Sequence, residues 1–165
     1  MDKLIIQGGN SINGEITISG SKNAILPIMA ATIISPGNYI LENVPNLRDT
    51  MTMKRLLEMI GAKINFLKNK MEINTENCNN PVASYDLVKT MRASFYVLGP
   101  FMSRFKRAYV SLPGGCAWGP RPINFHIDAL KALGANVSLK NGMIIAKGNL
   151  KGCEINFKTS SVGAT

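Results

Sequence analysis

The chain has 165 residues, 45% apolar and 18% charged, with 15 Gly and 8 Pro scattered without period; this excludes a disordered tail and collagen-like or low-complexity classes. The formal charge of +9 calls for anionic partners, either nucleic acid or phosphorylated small molecules. The longest nearly apolar run, Ala24 to Ile34, holds 11 residues where a membrane span needs about 20, and Met1-Asp2-Lys3 does not open a signal peptide, so a soluble cytoplasmic protein is expected.

In chain order, Leu4 to Gln7 and Glu15 to Ser19 read as short strands on either side of Asn13-Gly14, and they match nothing later in the chain. Ser21-Lys22-Asn23-Ala24 then opens a helical apolar stretch, Ala24 to Ile34, with Ser21 placed to cap the first-turn amides. The segment Leu57 to Phe66 runs as a helix stopped at Gly61 and followed at once by a strand, with Lys68-Asn69-Lys70 at the turn. Thr90-Met91-Arg92-Ala93 opens the next helical stretch, Ala93 to Met102. Leu130 to Leu139 repeats Leu57 to Phe66 without a gap at an offset of 73, sharing the Gly-Ala pair, and Asn141-Gly142 supplies a strong hairpin turn. Ser161-Val162-Gly163-Ala164 restates the Ser/Thr-x-x-Ala start, the three copies lying at offsets of 69 and 71. An α/β fold of helix-strand-helix-strand-turn-strand units is therefore predicted, each about 70 residues by periodicity. Two units are nearly complete and a third begins at Ser161. Residues 1–20 open a different substructure, residues 21–165 carry the repeat, and the whole is expected to be the front portion of something larger.

The stretch Ser111 to Pro122 holds three glycines and three prolines in twelve residues, which describes a surface loop. Cys116 in that loop is an accessible thiol, and Arg121 five residues on can favour its thiolate or hold an anion beside it; the alternative is a loop cysteine without a role. Cys78 and Cys153 look incidental, and three widely spaced cysteines with one histidine make neither a disulfide framework nor a zinc site. Lys22 and Asn23 fall in the first turn of a predicted helix, where free amides attract anions, and Arg92 holds nearly the same position in the second unit. Taken singly, Lys22 and Arg92 are each more often a solvated surface cation. His126 lies at a predicted helix start, as a site residue or as a structural imidazole.

Four stretches carry a family resemblance: Ser19 to Ala24, Tyr85 to Ser94, Leu112 to Pro122, and Ser161 to Thr165. In order and along the whole chain, they resemble the UDP-N-acetylglucosamine 1-carboxyvinyltransferases, which begin peptidoglycan synthesis in the cytoplasm and are the target of fosfomycin. The resemblance implies an inside-out α/β barrel of repeated units, and transfer of the enolpyruvyl group of phosphoenolpyruvate onto the sugar 3-hydroxyl of UDP-N-acetylglucosamine with release of phosphate. It implies no cofactor, no metal, no membrane and no nucleic acid. Cys116 would be the general acid that protonates the methylene carbon, and can form a covalent phospholactoyl adduct. Lys22, Asn23 and Arg121 would bind phosphoenolpyruvate. Asn23, Arg92, Arg121, Pro122, Ile123, Asn124, Phe125, Ser161 and Val162 would bind the sugar nucleotide, and His126 would support the loop.

The chain departs from the family pattern at Trp118, where a smaller aliphatic residue is expected, and at Asn124, Phe125 and Thr159, where Asp, Leu and a basic residue are common. Family members are more than twice this long. Their general base and a further phosphoenolpyruvate-binding arginine lie downstream, so an inactive N-terminal fragment is expected. Its partners would be the two substrates and the C-terminal part of the same enzyme, and residues 1–20 would belong to that second domain.

Overall fold

A computed structural model describes residues 3–9, 11–89, 91–112, 123–157 and 159–160, the side chains of Arg92 and Ser94 apart. Two copies of one unit follow each other. The first runs α1 (Lys22–Ala31), β1 (Asn38–Leu41), α2 (Arg48–Met59), β2 (Lys63–Leu67) and β3 (Lys70–Asn74). The second opens with β4 (Val82–Ala83) and α3 (Tyr85–Val88), and continues through a 3₁₀ turn (Arg92–Val97) into α4 (Leu98–Phe105). It is completed by β5 (Arg107–Ser111), α5 (Asn124–Ala132), β6 (Asn136–Lys140) and β7 (Met143–Lys147). The first sheet has the order β1-β3-β2 and the second β4-β5-β7-β6. The last three strands of the second reproduce the first, antiparallel throughout, while β4 is added in parallel along β5.

The repeat is chemical as well as topological. At the end of α2, Gly61 has φ +109°, its amide donates to the Glu58 carbonyl, and the Ala62 amide donates to Leu57. At the end of α5, Gly134 has φ +94°, its amide donates to Lys131, and the Ala135 amide donates to Leu130. Both are Schellman endings, in which a glycine in the left-handed region lets two amides turn back onto the last free carbonyls. Both hairpins then close on two residues with positive φ, Lys68-Asn69 at 47° and 61° and Asn141-Gly142 at 52° and 71°. This is the turn whose twist matches that of the paired strands.

Alternation along the strands sets the layers. Met71 and Ile73 of β3, Ala108 and Val110 of β5, and Ile144 and Ala146 of β7 point inward and are buried. There they meet Met29 and Ile33 from α1 and its end, Met53, Leu56 and Leu57 from α2, and Phe101 and Met102 from α4. Helices thus pack against the inner faces of the sheets, with α1 packed against both α2 and the 3₁₀ turn of the next unit. Arg104 fastens the units: its guanidinium donates to the Ile33 carbonyl at 3.2 Å and to the Glu76 carbonyl at 3.3 Å. The two sheets remain separate and close no barrel among the described residues. The second helices differ in cover: α2 buries Thr50, Thr52, Met53, Leu56 and Leu57, whereas α5 buries Leu130 alone.

Three expectations are corrected. Leu4 to Gln7 and Glu15 to Ser19 form no strand. A strand needs a hydrogen-bonded neighbour and cover for its apolar face, and here Leu4 is 86%, Ile16 83% and Ile18 73% exposed. The stretch Ala93 to Met102 is not one α-helix but a 3₁₀ turn leading into α4. Pro100 has no amide to give to the Tyr96 carbonyl, so the α-ladder cannot run unbroken through it. Ser21 precedes α1 with extended angles (φ −79°, ψ 130°) but makes no side-chain cap. None of the helices in the described residues is long and apolar enough to cross a membrane.

Candidate active site

Lys22 and Asn23 are the first two residues of α1 and both are exposed. The amides of a helix's first turn have no intrahelical acceptor. With no cap from Ser21, those at the start of α1 keep their capacity for an anion. The entry to the helix is held by Gly20, whose amide donates to Asn43 Oδ1 at 3.1 Å. A Cβ on Gly20 would stand 1.9 Å from the Asn43 carbonyl oxygen, so only glycine allows this approach. Inside the helix, Pro27 has no amide to offer the Asn23 carbonyl, which leaves that oxygen without its usual helical donor.

The Lys22 ammonium meets Asp49 in the first turn of α2, with Nζ 3.0 Å from Oδ2. Nothing local in the sequence marks this partner, because the two residues are 27 positions apart. Arg92 opens the 3₁₀ turn that packs on α1. Three residues on, the Phe95 ring lies against His126 of α5, with centroids 5.4 Å apart and planes tilted by 55°. Ile123 precedes α5, and Asn124, Phe125 and His126 form its start. Asn124 is exposed, and Phe125 packs on Phe157 at 5.4 Å between centroids. The fold therefore gathers three expected elements around one 3₁₀ turn: α1 with Lys22 and Asn23, the turn itself with Arg92, and the α5 start with Asn124 to His126. Asp49, Phe95 and Phe157 are the neighbours that sequence reasoning missed.

Cys116, Arg121, Pro122, Ser161 and Val162, with Trp118 and Thr90, lie outside the described residues. Of the other thiols, Cys78 is buried and Cys153 exposed. Burial pushes the Cys78 thiol up, against the opposing pull of the Arg104 guanidinium. Two of the basic residues between Lys89 and Arg107 are committed to partners. Lys89 pairs with Asp86 at 2.7 Å, and Arg104 is tied to the two carbonyls that join the units. An open concavity of about 480 Å³ over the outer face of the first sheet, lined by Tyr39, Lys63, Asn65 and Glu72 among others, contains none of the expected site residues. No group of three or more His, Cys, Asp or Glu is placed to hold a metal among the described residues.

Comparison with known proteins bears on this arrangement. The protein-family model described as EPSP synthase (3-phosphoshikimate 1-carboxyvinyltransferase) matches residues 6–165. A UDP-N-acetylglucosamine 1-carboxyvinyltransferase of Trichlorobacter lovleyi is 55% identical over 100% of this chain and 40% of its own length. One from Prosthecochloris aestuarii is 52% identical with the same coverage. The chain thus spans about 40% of the length of the curated relatives it matches. Among solved structures, the enolpyruvyl transferase NikO of Streptomyces tendae superposes with a TM-score of 0.71 at 21% identity, over 85% of this chain and 31% of that one. An EPSP synthase of Acinetobacter baumannii gives 0.72 at 16%, over 92% and 36%. The expected enolpyruvyl transferase-like α/β fold is thereby established, and the match over residues 6–165 makes the chain a member of the EPSP synthase (3-phosphoshikimate 1-carboxyvinyltransferase) family.

Proposed function

We propose that these residues form the substrate-binding half of a UDP-N-acetylglucosamine 1-carboxyvinyltransferase, which moves the enolpyruvyl group of phosphoenolpyruvate onto the sugar 3-hydroxyl and commits the sugar nucleotide to peptidoglycan. The observation that carries the reading is whole-chain identity of 52–55% to proteins of that name. The meeting of the α1 start, the Arg92 turn and the α5 start supports it. Lys22, Asn23 and Arg121 hold phosphoenolpyruvate. Asn23, Arg92, the run Arg121 to Phe125, Ser161 and Val162 hold the sugar nucleotide. His126, resting on Phe95, steadies the start of α5 beside the loop. Cys116 gives its proton to the methylene carbon, and the oxocarbenium-like centre at C2 takes the sugar oxygen as the 3-hydroxyl proton passes to a general base supplied by the rest of the enzyme; loss of a proton from the new methyl group then restores the double bond as phosphate leaves, its charge stabilised by fixed cations. Residues 21–165 are read as most of one domain, and residues 1–20, with their exposed Leu4, Ile16 and Ile18, as a segment of a second. The spread of basic residues over the whole sequence, with Lys89 paired to Asp86 and Arg104 tied to two carbonyls, speaks against the nucleic-acid reading.

General acid–base steps are worth roughly 10²–10⁴-fold each, and alignment between closing domains can exceed that. The 165 residues are therefore expected to bind substrate without turning it over. Phosphate release from phosphoenolpyruvate and UDP-N-acetylglucosamine should stay at background for the chain alone. It should rise when the chain is co-expressed with the portion of the Trichlorobacter lovleyi relative that it does not cover. Background release in the co-expressed pair, with both pieces folded and associated, would count against the reading.

A further inference from the structure

We infer that Asp49 is a positioning residue for Lys22, holding its ammonium over the start of α1 so that an incoming phosphate meets a fixed cation; the inference rests on the role proposed above for Lys22. Four ion pairs occur among the described residues, and three are local. Lys54–Glu58 and Lys89–Asp86 lie within one helical turn, and Lys70–Glu72 within one strand. Lys22–Asp49 is the only one of the four that joins two elements, tying the start of α1 to the start of α2.

Its polarity is the second observation. A lysine at a helix N-terminus sits at the positive end of the dipole, where a cation is disfavoured. A lysine serving only α1 itself would be better placed ten residues later. Asp49, by contrast, lies in the first turn of α2, where the dipole favours a carboxylate. It is also the more enclosed partner, with 29% of its side chain exposed against 49% for Lys22. The carboxylate is therefore the fixed member and the long lysine the one being held. An ammonium has three donors. One goes to Asp49 Oδ2, leaving two for an anion seated on the uncapped amides of Lys22, Asn23 and Ala24. Asp49 and the phosphate thus share Lys22, and the carboxylate need not be displaced.

The test is a double-mutant cycle read by titration of the folded chain with phosphoenolpyruvate. Asp49→Asn should raise Kd roughly two- to fivefold, the scale of a partly exposed ion pair, and Asp49→Glu should recover most of the loss. In a Lys22→Met background, Asp49→Asn should change nothing, since the residue acts only through the lysine. Equal weakening in both backgrounds would make Asp49 a direct contact or a fold determinant and overturn the inference, as would unchanged or tighter binding. If the unaltered chain takes up no phosphoenolpyruvate, what fails is the reading that these residues bind it by themselves, not the pairing of Lys22 with Asp49. The positioning is then decided by acetylation with an N-hydroxysuccinimide ester. Lys22 should react two- to fivefold faster in Asp49→Asn, with Lys54 and Lys89 unchanged, and no increase would overturn the inference.

Discussion

Replacing each of the two helix-ending glycines with alanine separates backbone strain from close packing, because the same motif is used twice in different surroundings. Gly61 and Gly134 have φ of +109° and +94° and make equivalent hydrogen bonds. Alanine at either position carries the left-handed penalty of about 1–2 kcal/mol, offset by about 0.4–1 kcal/mol from a less flexible unfolded chain. At Gly134 the added Cβ would meet only the Asn149 carbonyl oxygen at 3.6 Å, ordinary contact. At Gly61 it would stand 2.8 Å from the Asn77 carbonyl oxygen and 3.2 Å from the Cys78 Cα, both backbone atoms that cannot swing aside. Forcing such a fit costs about 1–3 kcal/mol more. Gly134→Ala should therefore lose about 1 kcal/mol and Gly61→Ala about 2–4 kcal/mol. In urea denaturation followed by circular dichroism, with a slope of about 2 kcal/mol/M, the midpoints should fall by about 0.5 M and 1–2 M. Equal losses would refute the role of the Asn77 approach, and no loss at either site would refute the paired Schellman endings.

The Thr50 hydroxyl is fully buried without a hydrogen-bond partner among the described residues, so Thr50→Val should raise stability by about 1 kcal/mol, read as a higher urea midpoint; a lower midpoint would mean the hydroxyl is bonded. Under limiting iodoacetamide near neutral pH, peptide mapping should find Cys116 modified fastest and the buried Cys78 slowest, and equal labelling of the three thiols would remove the case for an activated Cys116. Burial raises the folded-state pKa of Cys78 above its unfolded value. Its contribution to stability is thus intact below the unfolded value of about 8.5 and is lost as pH rises through the raised one. Cys78→Ala should flatten the fall in stability measured above that pH, and an unchanged slope would assign the fall to other groups.

What the sequence made legible is what local chemistry dictates. Gly61 and Gly134 end helices because of their own backbone freedom, and Asn141-Gly142 turns because both residues tolerate positive φ. The offset of 73 could therefore be read directly, and with it the order of helices and strands within each unit. Features that depend on distant partners were not legible. Leu4 to Gln7 and Glu15 to Ser19 have a strand pattern, but a strand exists only where a neighbour pairs with it, and none does among the described residues. Ser21 has the right chemistry for a cap and the right backbone angles, yet its side chain makes no cap bond. Lys22, Asn23 and Arg92 stood out by position at helix starts. The Asp49 that holds Lys22 and the Phe95 that braces His126 come from elsewhere in the fold and leave no short-range signature.

The most direct measurement of the central claim is a titration of the ¹⁵N-labelled chain with UDP-N-acetylglucosamine, followed by amide shifts at two salt concentrations. The account predicts saturable shifts clustered at Asn23, at Arg92 in the 3₁₀ turn, and at Ile123 to Phe125, with little change over the outer face of the first sheet around Asn65 and Glu72. Arg92→Ala should weaken the binding without dispersing the spectrum. An absence of shifts at the α1 start, the 3₁₀ turn and the α5 start would contradict the account. So would shifts confined to the concavity over the first sheet, or stronger, steeply salt-dependent perturbation by a DNA duplex.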